Sequence, residues 1–428
     1  MQRLDLHQTG RALLGRMPPH SQQFSDHYYS RLEPKIEQML SEAEDELLEI
    51  GVPIKTRHKE VAPNQYEMCA VFEDASRCID QNMIKMKILE EACDRHDLVP
   101  LWHEKPFGHL NGSGKHMNWS LEFYTPDNVR RNLFIPKSYD DQTFILTTLI
   151  TLKALLNHQK LYLASVAVPG NEIRLGGHEA PPRIISAFVG KFVTSMIEKL
   201  PEVHKGNLRE KVQHLLTDVE QANTDRNRTS PYGFATNRFE YRAVGSSQNC
   251  YFPMTIILTT IGHEMVKAEK ILKSGTSVED LISQLVEETA SIRFEGDGYA
   301  PEWPIEAKKR GLYVNERYTE NYENIVNAGQ VLVDSGVYKQ SELEAKAKIM
   351  TEKYIMTVIK EVETFSILMN KNILPRAYSH AQSIPDAPHN TVLHRRKEKF
   401  VFKLNKLLDA ISNLEERIAN NPNLATCE

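Results

Sequence analysis

The segment Lys105–Ser120, KPFGHLNGSGKHMNWS, constrains the fold of this 428-residue chain more than any other stretch. It joins a glycine-rich turn to an alternating run, and the alternation sorts side chains by chemistry. Extended backbone sends successive side chains to opposite faces. His116, Asn118, Ser120 and Glu122 therefore share one face, and Met117, Trp119, Leu121 and Phe123 share the other. The apolar face predicts a core contact. The polar face carries a candidate metal ligand and follows glycines that admit close approach to backbone, as the floor of a substrate site does. The plainer alternative is a solvated strand with one polar face. The Gly-Ser-Gly-Lys core invites a phosphate-loop reading, which fails because that motif needs Gly at 109 and Ser or Thr at 116. Both positions are histidines.

An apolar fraction of 41% and a charged fraction of 25% are those of a globular chain. The net charge of −5 gives no reason to expect nucleic-acid binding. No run approaches the roughly 18 apolar residues of a membrane span. The five cysteines are scattered and form no CxxC pair, which argues against a disulfide framework or a zinc site and fits a reducing cytoplasm.

Hydrophobic spacing predicts helices over 24–50, 76–95, 141–165, 183–199 and 253–273. Residues 52–73 read as mostly extended, LVPLWH (98–103) as a buried strand, and 237–244 as a strand. Thr276 and Glu279 form a capping-box pattern ahead of Leu281, Ile282 and Leu285. Ser341 and Glu344 read as the cap of a helix bearing Met350, Tyr354, Val358, Val362 and Phe365 on one stripe. A loop over 375–390 precedes a last helix with Leu404, Leu408, Ile411 and Leu414 on one stripe. Mixed strands and helices without a βαβ repeat predict an α+β fold with a helical C-terminal module. The division is expected as 1–315 and 316–428.

Three further constellations carry charge. The strand Arg238-Phe239-Glu240-Tyr241-Arg242 projects Arg238, Glu240 and Arg242 together, downstream of Asp225-Arg226-Asn227-Arg228. Its plain reading is a surface ion-pair ladder. Its functional reading is a phosphate held by arginine forks, with Glu240 binding a cation. Glu60 and Glu67 flank a Pro-containing turn and could converge on Mg²⁺ or Mn²⁺, although most glutamates are simply exposed. In Asn171–Pro182, Gly176 and Gly177 permit a mobile loop, with Arg174 and Glu179 on either side of it. Together these groups supply what phosphoryl transfer needs, namely positioning and charge neutralisation.

The segments, in this order, resemble the catalytic domain of glutamine synthetase. KPFGHLNGSGKHMNWS is similar to the family's Lys-Pro…Asn-Gly-Ser-Gly-x-His signature, HKEVAPNQYE to its paired-glutamate segment, NEIRLGGHEAPP to its flap, and DRNRTSP with RFEYR to its arginine-rich and Glu-x-Arg segments. The wording is nearest the type III branch, whose C-terminal extension the helical tail resembles. The implied fold is a curved antiparallel sheet flanked by helices.

The resemblance also implies roles. Glu60 and Glu67 would hold one divalent metal, and His116 with Glu240 a second on the nucleotide side. Asn111 and the backbone of Gly112 would bind glutamate. Arg174 and Arg242 would hold glutamate and the transferred phosphoryl group, and Arg228 and Arg238 would contact ATP. Phe72 and Ser120 would be nucleotide contacts, Ser120 on the adenine side. Glu179 would shield the intermediate and help deprotonate ammonium. Asn118 stands where other branches often have a second His. The implied partners are L-glutamate, ammonium, ATP and other copies of the chain in stacked rings.

The family's further metal motif, Gly-Pro-Glu-x-Glu, does not occur in this sequence. By carry-over each metal keeps two of three protein ligands, so the expectation is weak synthetase activity from this chain alone. Two alternatives stay open: a non-catalytic relative acting by ligand binding or assembly, and a ligase that uses a polyamine in place of ammonia.

Overall fold

A computed structural model describes Tyr28 and residues 31–62, 64–138, 140–203, 229–386, 388–389 and 391–419. The chain divides into two compact units, Met1–Glu344 and Ala345–Glu428.

Among the described residues, the first helix of the first unit is α1 (Pro34–Glu49), with Pro34 at its start and Gly51 at φ +80° just past its end. Both placements follow from backbone chemistry, since Pro tolerates the first turn and Gly the left-handed exit. The buried face of α1 (Met39, Leu40, Ala43, Leu47) packs on Leu89, Ala92 and Cys93 of α2 (Ala75–Arg95) and on Val52 and Met68. Each of the larger side chains gains about 1.5–3 kcal/mol by burial. Strands β1 (Ile54–Lys59) and β2 (Tyr66–Ala70) form an antiparallel hairpin pairing His58 with Glu67 and Lys59 with Tyr66. Asn64, at φ 56°, takes the left-handed position in the connecting turn that Asn tolerates well.

A four-stranded sheet carries the opening segment. Its order is β3 (Met117–Trp119), β8 (Arg238–Tyr241), β7 (Tyr232–Ala235), β6 (Ala187–Phe188). The β3–β8 and β8–β7 pairs are antiparallel and the β7–β6 pair is parallel, so the sheet is mixed. Met117 and Trp119 are buried while His116, Asn118 and Ser120 are exposed, as the alternation requires. Trp119 stacks on Phe239 with centroids 5.6 Å apart, and Tyr232 stacks on Tyr241 at 4.3 Å. Helix α3 (Gln142–Asn157) begins at Asp141, whose carboxylate accepts from the amides of Thr143 and Phe144. It packs on α7 (Tyr251–Lys273), with α4 (Gln159–Ser165) beside them. Short helices α5 (Pro169–Arg174) and α6 (Gly190–Val203) flank β6 in sequence. Helices α8 (Val278–Glu288), α9 (Trp303–Lys309), α10 (Glu320–Asn327) and α11 (Gln330–Asp334) follow. The α+β expectation holds.

Several local expectations differ. Residues 98–103 form no strand, and Val99 is 82% exposed. Pro100 lacks the amide that a ladder needs. The alternation ends at Ser120, because β4 (Glu122–Tyr124) pairs instead with β5 (Arg130–Asn132), and Phe123 is exposed. The cap of α8 is Ser277, whose side chain accepts from the Asp280 amide, one residue beyond the expected box.

In the second unit, the greater part of α12 (Gln340–Leu368) leads through a π-helical turn at Met369–Ile373 into α13 (Leu374–Ser383). Ser341 lies inside α12 rather than capping it, and α13 occupies part of the expected loop. Helix α14 (Val392–Ala419) places Leu404 and Ile411 in a cluster with Met369 and Leu374, which is the stripe its periodicity predicts.

Candidate active site

The polar face of β3 meets β8 directly. Register pairs Asn118 with Glu240, and His116 Nδ1 lies 3.0 Å from Glu240 Oε1. Glu240 is buried at 4% exposure. Burial lowers the His116 pKa below its ordinary value, with the Glu240 carboxylate pulling the other way. A neutral imidazole beside a carboxylate is a suitable pair of donors for a cation. Asn118 is engaged through Oδ1, which accepts from Arg238 Nε at 3.2 Å.

The β1–β2 hairpin supplies a second donor set. Glu60 is held above the usual carboxylate range by burial and by Glu67, with His58 opposing. His58 Nε2 sits 2.9 Å from Glu60 Oε1, and ligand atoms of His58, Glu60 and Glu67 lie within 4.8 Å of one another. Carboxylates gathered this closely fit a divalent cation. The Cys69 thiol donates to Glu67 Oε1 at 2.6 Å. Gln65 ties this hairpin to the glycine turn, donating to the Gly112 carbonyl at 2.9 Å.

The loop after α5 closes on the same turn. Consecutive left-handed residues, His178 at φ 52° and Glu179 at φ 66°, make a tight reversal between Gly177 and Ala180. Two non-glycine residues in this region cost on the order of 1–3 kcal/mol each. The geometry is held from outside the loop. Asn111 Nδ2 donates to the His178 carbonyl at 3.2 Å and reaches Glu179 Oε2 at 3.4 Å, and Arg242 donates to the Glu179 carbonyl at 3.2 Å. The Tyr28 hydroxyl donates to Glu179 Oε2 at 2.9 Å.

Arg174 is buried at 4% exposure beneath the glycine turn. It donates to Asn171 Oδ1 and to the carbonyls of Arg242, Ala243 and Val244. Burial draws its pKa down to about 10, partly offset by Glu104. The Glu104 carboxylate, itself buried, accepts from the amide and hydroxyl of Ser247. With its donors so placed, Arg174 braces the 242–244 backbone.

The structure thus brings together His116 with Glu240, Glu60 with Glu67, and Asn111 with Glu179 and Arg242. Phe72 is 76% exposed, and Ser120 is exposed. Arg228 lies outside the described residues. Sequence reasoning missed His58, Tyr28 and Glu104. His58 had a findable signal, since it precedes Glu60 by two residues in a segment that reads as extended, a spacing that predicts a shared face.

Comparison with known proteins gives the family. The family model for the glutamine synthetase catalytic domain matches residues 7–151, and that for the glutamine synthetase C-terminal domain matches 277–391. The type-3 glutamine synthetase of Dictyostelium discoideum is 33% identical over 432 residues, covering 97% of this chain and 58% of that protein. A glutamine synthetase of Bacteroides fragilis is 35% identical over 407 residues, covering 88% and 54%. Among solved structures, the GmaS/ADP complex aligns with a TM-score of 0.47 at 18% identity, covering 74% of this chain and 60% of that one. The chain therefore spans little more than half the length of the curated relatives it matches. It belongs to the glutamine synthetase family.

Proposed function

We propose that this chain serves the ATP-dependent ligation of ammonia to the γ-carboxylate of L-glutamate, through γ-glutamyl phosphate, to give glutamine. The observation that carries the reading is the His116–Glu240 pair at 3.0 Å, seated on the same glycine turn that Gln65 ties to Glu60 and Glu67. Glu60 and Glu67 would hold one divalent cation, Mg²⁺ or Mn²⁺, and His116 and Glu240 another. When bound, such cations offset the repulsion between a carboxylate and a polyphosphate.

The chain's own groups do the rest. Asn111 and the Gly112 backbone orient glutamate. Arg242 faces the same turn through Glu179, and Arg174 fixes the position of Arg242 by holding its carbonyl. Arg238, Arg228, Phe72 and Ser120 are assigned to ATP. Glu179 is assigned to shield the intermediate and to take a proton from ammonium. We assign residues 1–315 to the catalytic part and 316–428 to a helical extension, and propose assembly with further copies of the chain.

Calorimetry with ATP, Mg²⁺ and a phosphinic glutamate analogue tests the reading. Binding of the analogue that depends on ATP and Mg²⁺, together with incorporation of ¹⁵N-ammonium into glutamine, is expected. Failure to bind any of the three ligands overturns it. Faster product formation with a polyamine than with ammonium would reassign the acceptor.

A further inference from the structure

The β1–β2 ladder delivers a nitrogen donor to the paired glutamates. His58 lies in β1 and Glu60 directly follows that strand, its amide donating to the Gln65 carbonyl at 2.9 Å, and the two side chains meet at 2.9 Å. The antiparallel register sets His58 directly opposite Glu67, where side chains on one face of a ladder meet. Neighbours along the chain and across the ladder thus close a triangle, whose ligand atoms lie within 4.8 Å of one another.

One edge of that triangle matches a coordination shell. With metal–oxygen bonds of about 2.1 Å, adjacent ligands of an octahedral ion are about 3.0 Å apart and opposite ones about 4.2 Å. The 2.9 Å between His58 Nε2 and Glu60 Oε1 matches an adjacent pair. The plainer reading is a half-exposed His–Glu ion pair, worth little in solvent. That reading explains His58 and Glu60; the Glu67 carboxylate, which accepts from the Cys69 thiol, still brings a ligand atom within 4.8 Å of both.

We propose that His58 is a third protein ligand of the divalent cation held by Glu60 and Glu67, and that it tilts this site toward Mn²⁺ over Mg²⁺. The proposal rests on the cation reading of the two glutamates. Its selectivity follows from donor chemistry, since carboxylate and water suit Mg²⁺ while imidazole suits first-row transition ions.

The test uses the full chain and spectroscopy rather than turnover. The proteins compared are wild type, His58→Gln, Glu60→Gln, His116→Gln and the double variant His58→Gln/His116→Gln. Mn²⁺ affinity is read by electron paramagnetic resonance, Mg²⁺ affinity by competition, and imidazole coordination by ¹⁴N electron spin-echo modulation. In His116→Gln the ¹⁴N modulation should persist, and in the double variant it should vanish. His58→Gln should weaken Mn²⁺ binding by about tenfold or more, the range seen when a site's supporting groups are lost. Mg²⁺ affinity should change by less than about threefold. Thermal unfolding of the metal-free variants checks that the hairpin is intact, and His58→Asn serves as a second variant if His58→Gln misfolds.

If Glu60→Gln weakens Mn²⁺ binding while His58→Gln leaves both affinity and ¹⁴N modulation unchanged, the His58 inference is overturned and the cation reading stands. If Glu60→Gln also has no effect, or the wild type binds no Mn²⁺, both are overturned.

Discussion

Across the β3–β8 ladder, the His116 imidazole and the Glu240 carboxylate approach to 3.0 Å, with the carboxylate buried and the ring half-exposed. Burial lowers the pKa of the ring, against the pull of the Glu240 carboxylate, and so favours the neutral form whose lone pair can take a cation. Glu240→Gln keeps the shape and removes the charge. We expect Mn²⁺ affinity to fall by about 10–100-fold, with a change of less than about 1 kcal/mol in metal-free unfolding. Equilibrium dialysis against Mn²⁺ and urea unfolding of the same sample check both parts. Unchanged affinity would remove Glu240 from the cation site.

The polar floor on β3 was legible in the sequence because a period of two is a local property. The identity of the third donor was not. His58 reaches Glu67 through a cross-strand register, and a short hairpin polar on its exposed side does not declare its register from hydrophobic pattern. Arg174 looked like a loop residue free to grip a ligand. Its burial and its bonds to the 242–244 carbonyls arise from contacts some 70 residues away in the chain. The contact between Tyr28 and Glu179 spans 151 residues, with no spacing to betray it. Residues 98–103 carry an apolar run that suggests a strand, but Pro100 within it has no amide to give a ladder. The cap of α8 slipped by one because Thr276/Glu279 and Ser277/Asp280 are equally good local patterns.

Gly114 is a packing requirement. A methyl group there would fall inside the Arg174 guanidinium, which its hydrogen bonds to Asn171 and three backbone carbonyls hold in place. Moving the guanidinium would strip a buried cation of its acceptors, at about 1–3 kcal/mol for each donor left unmet. Gly114→Ala should therefore destabilise by about 3 kcal/mol and abolish binding of the glutamate analogue. Gly108→Ala meets open space and is the control, expected within about 0.5 kcal/mol of wild type. Urea denaturation of the two variants decides the matter, and equal midpoints would contradict the packing argument.

The Cys69 thiol should be unusually inert. Burial, reinforced by its hydrogen bond to the Glu67 carboxylate, pushes its pKa up to about 12. The thiolate is the nucleophile, so at pH 8 alkylation should run about a thousandfold slower than for a free cysteine thiol. Glu67→Gln removes the charge but not the burial, and should recover only part of that rate. Iodoacetamide labelling followed by peptide mapping gives the rate at Cys69 directly. Labelling as fast as that of a small thiol would mean that neither the burial nor the hydrogen bond persists in solution.

Glu264 on α7 predicts where the fold meets acid. Its residue is 5% exposed, and burial by itself would raise the carboxyl pKa. The neighbouring cations and donors win. His158 Nε2 stands at 3.6 Å, an ion-pair rather than a hydrogen-bond distance, while Lys267 and Asn157 donate at 2.9 and 3.1 Å. The net effect lowers Glu264 from 4.5 to about 2. A depressed carboxyl stabilises the fold fully above its unfolded value and loses that contribution as pH falls toward the folded value. The window is therefore pH 4.5 down to about 2. After allowance for solvent screening the contribution is on the order of 2 kcal/mol. Wild type should exceed Glu264→Gln in urea midpoint at pH 6, and the gap should close as the pH approaches 2. A gap that stays constant or widens through that window would show that the carboxylate charge is not what α7 uses to hold Asn157 and His158.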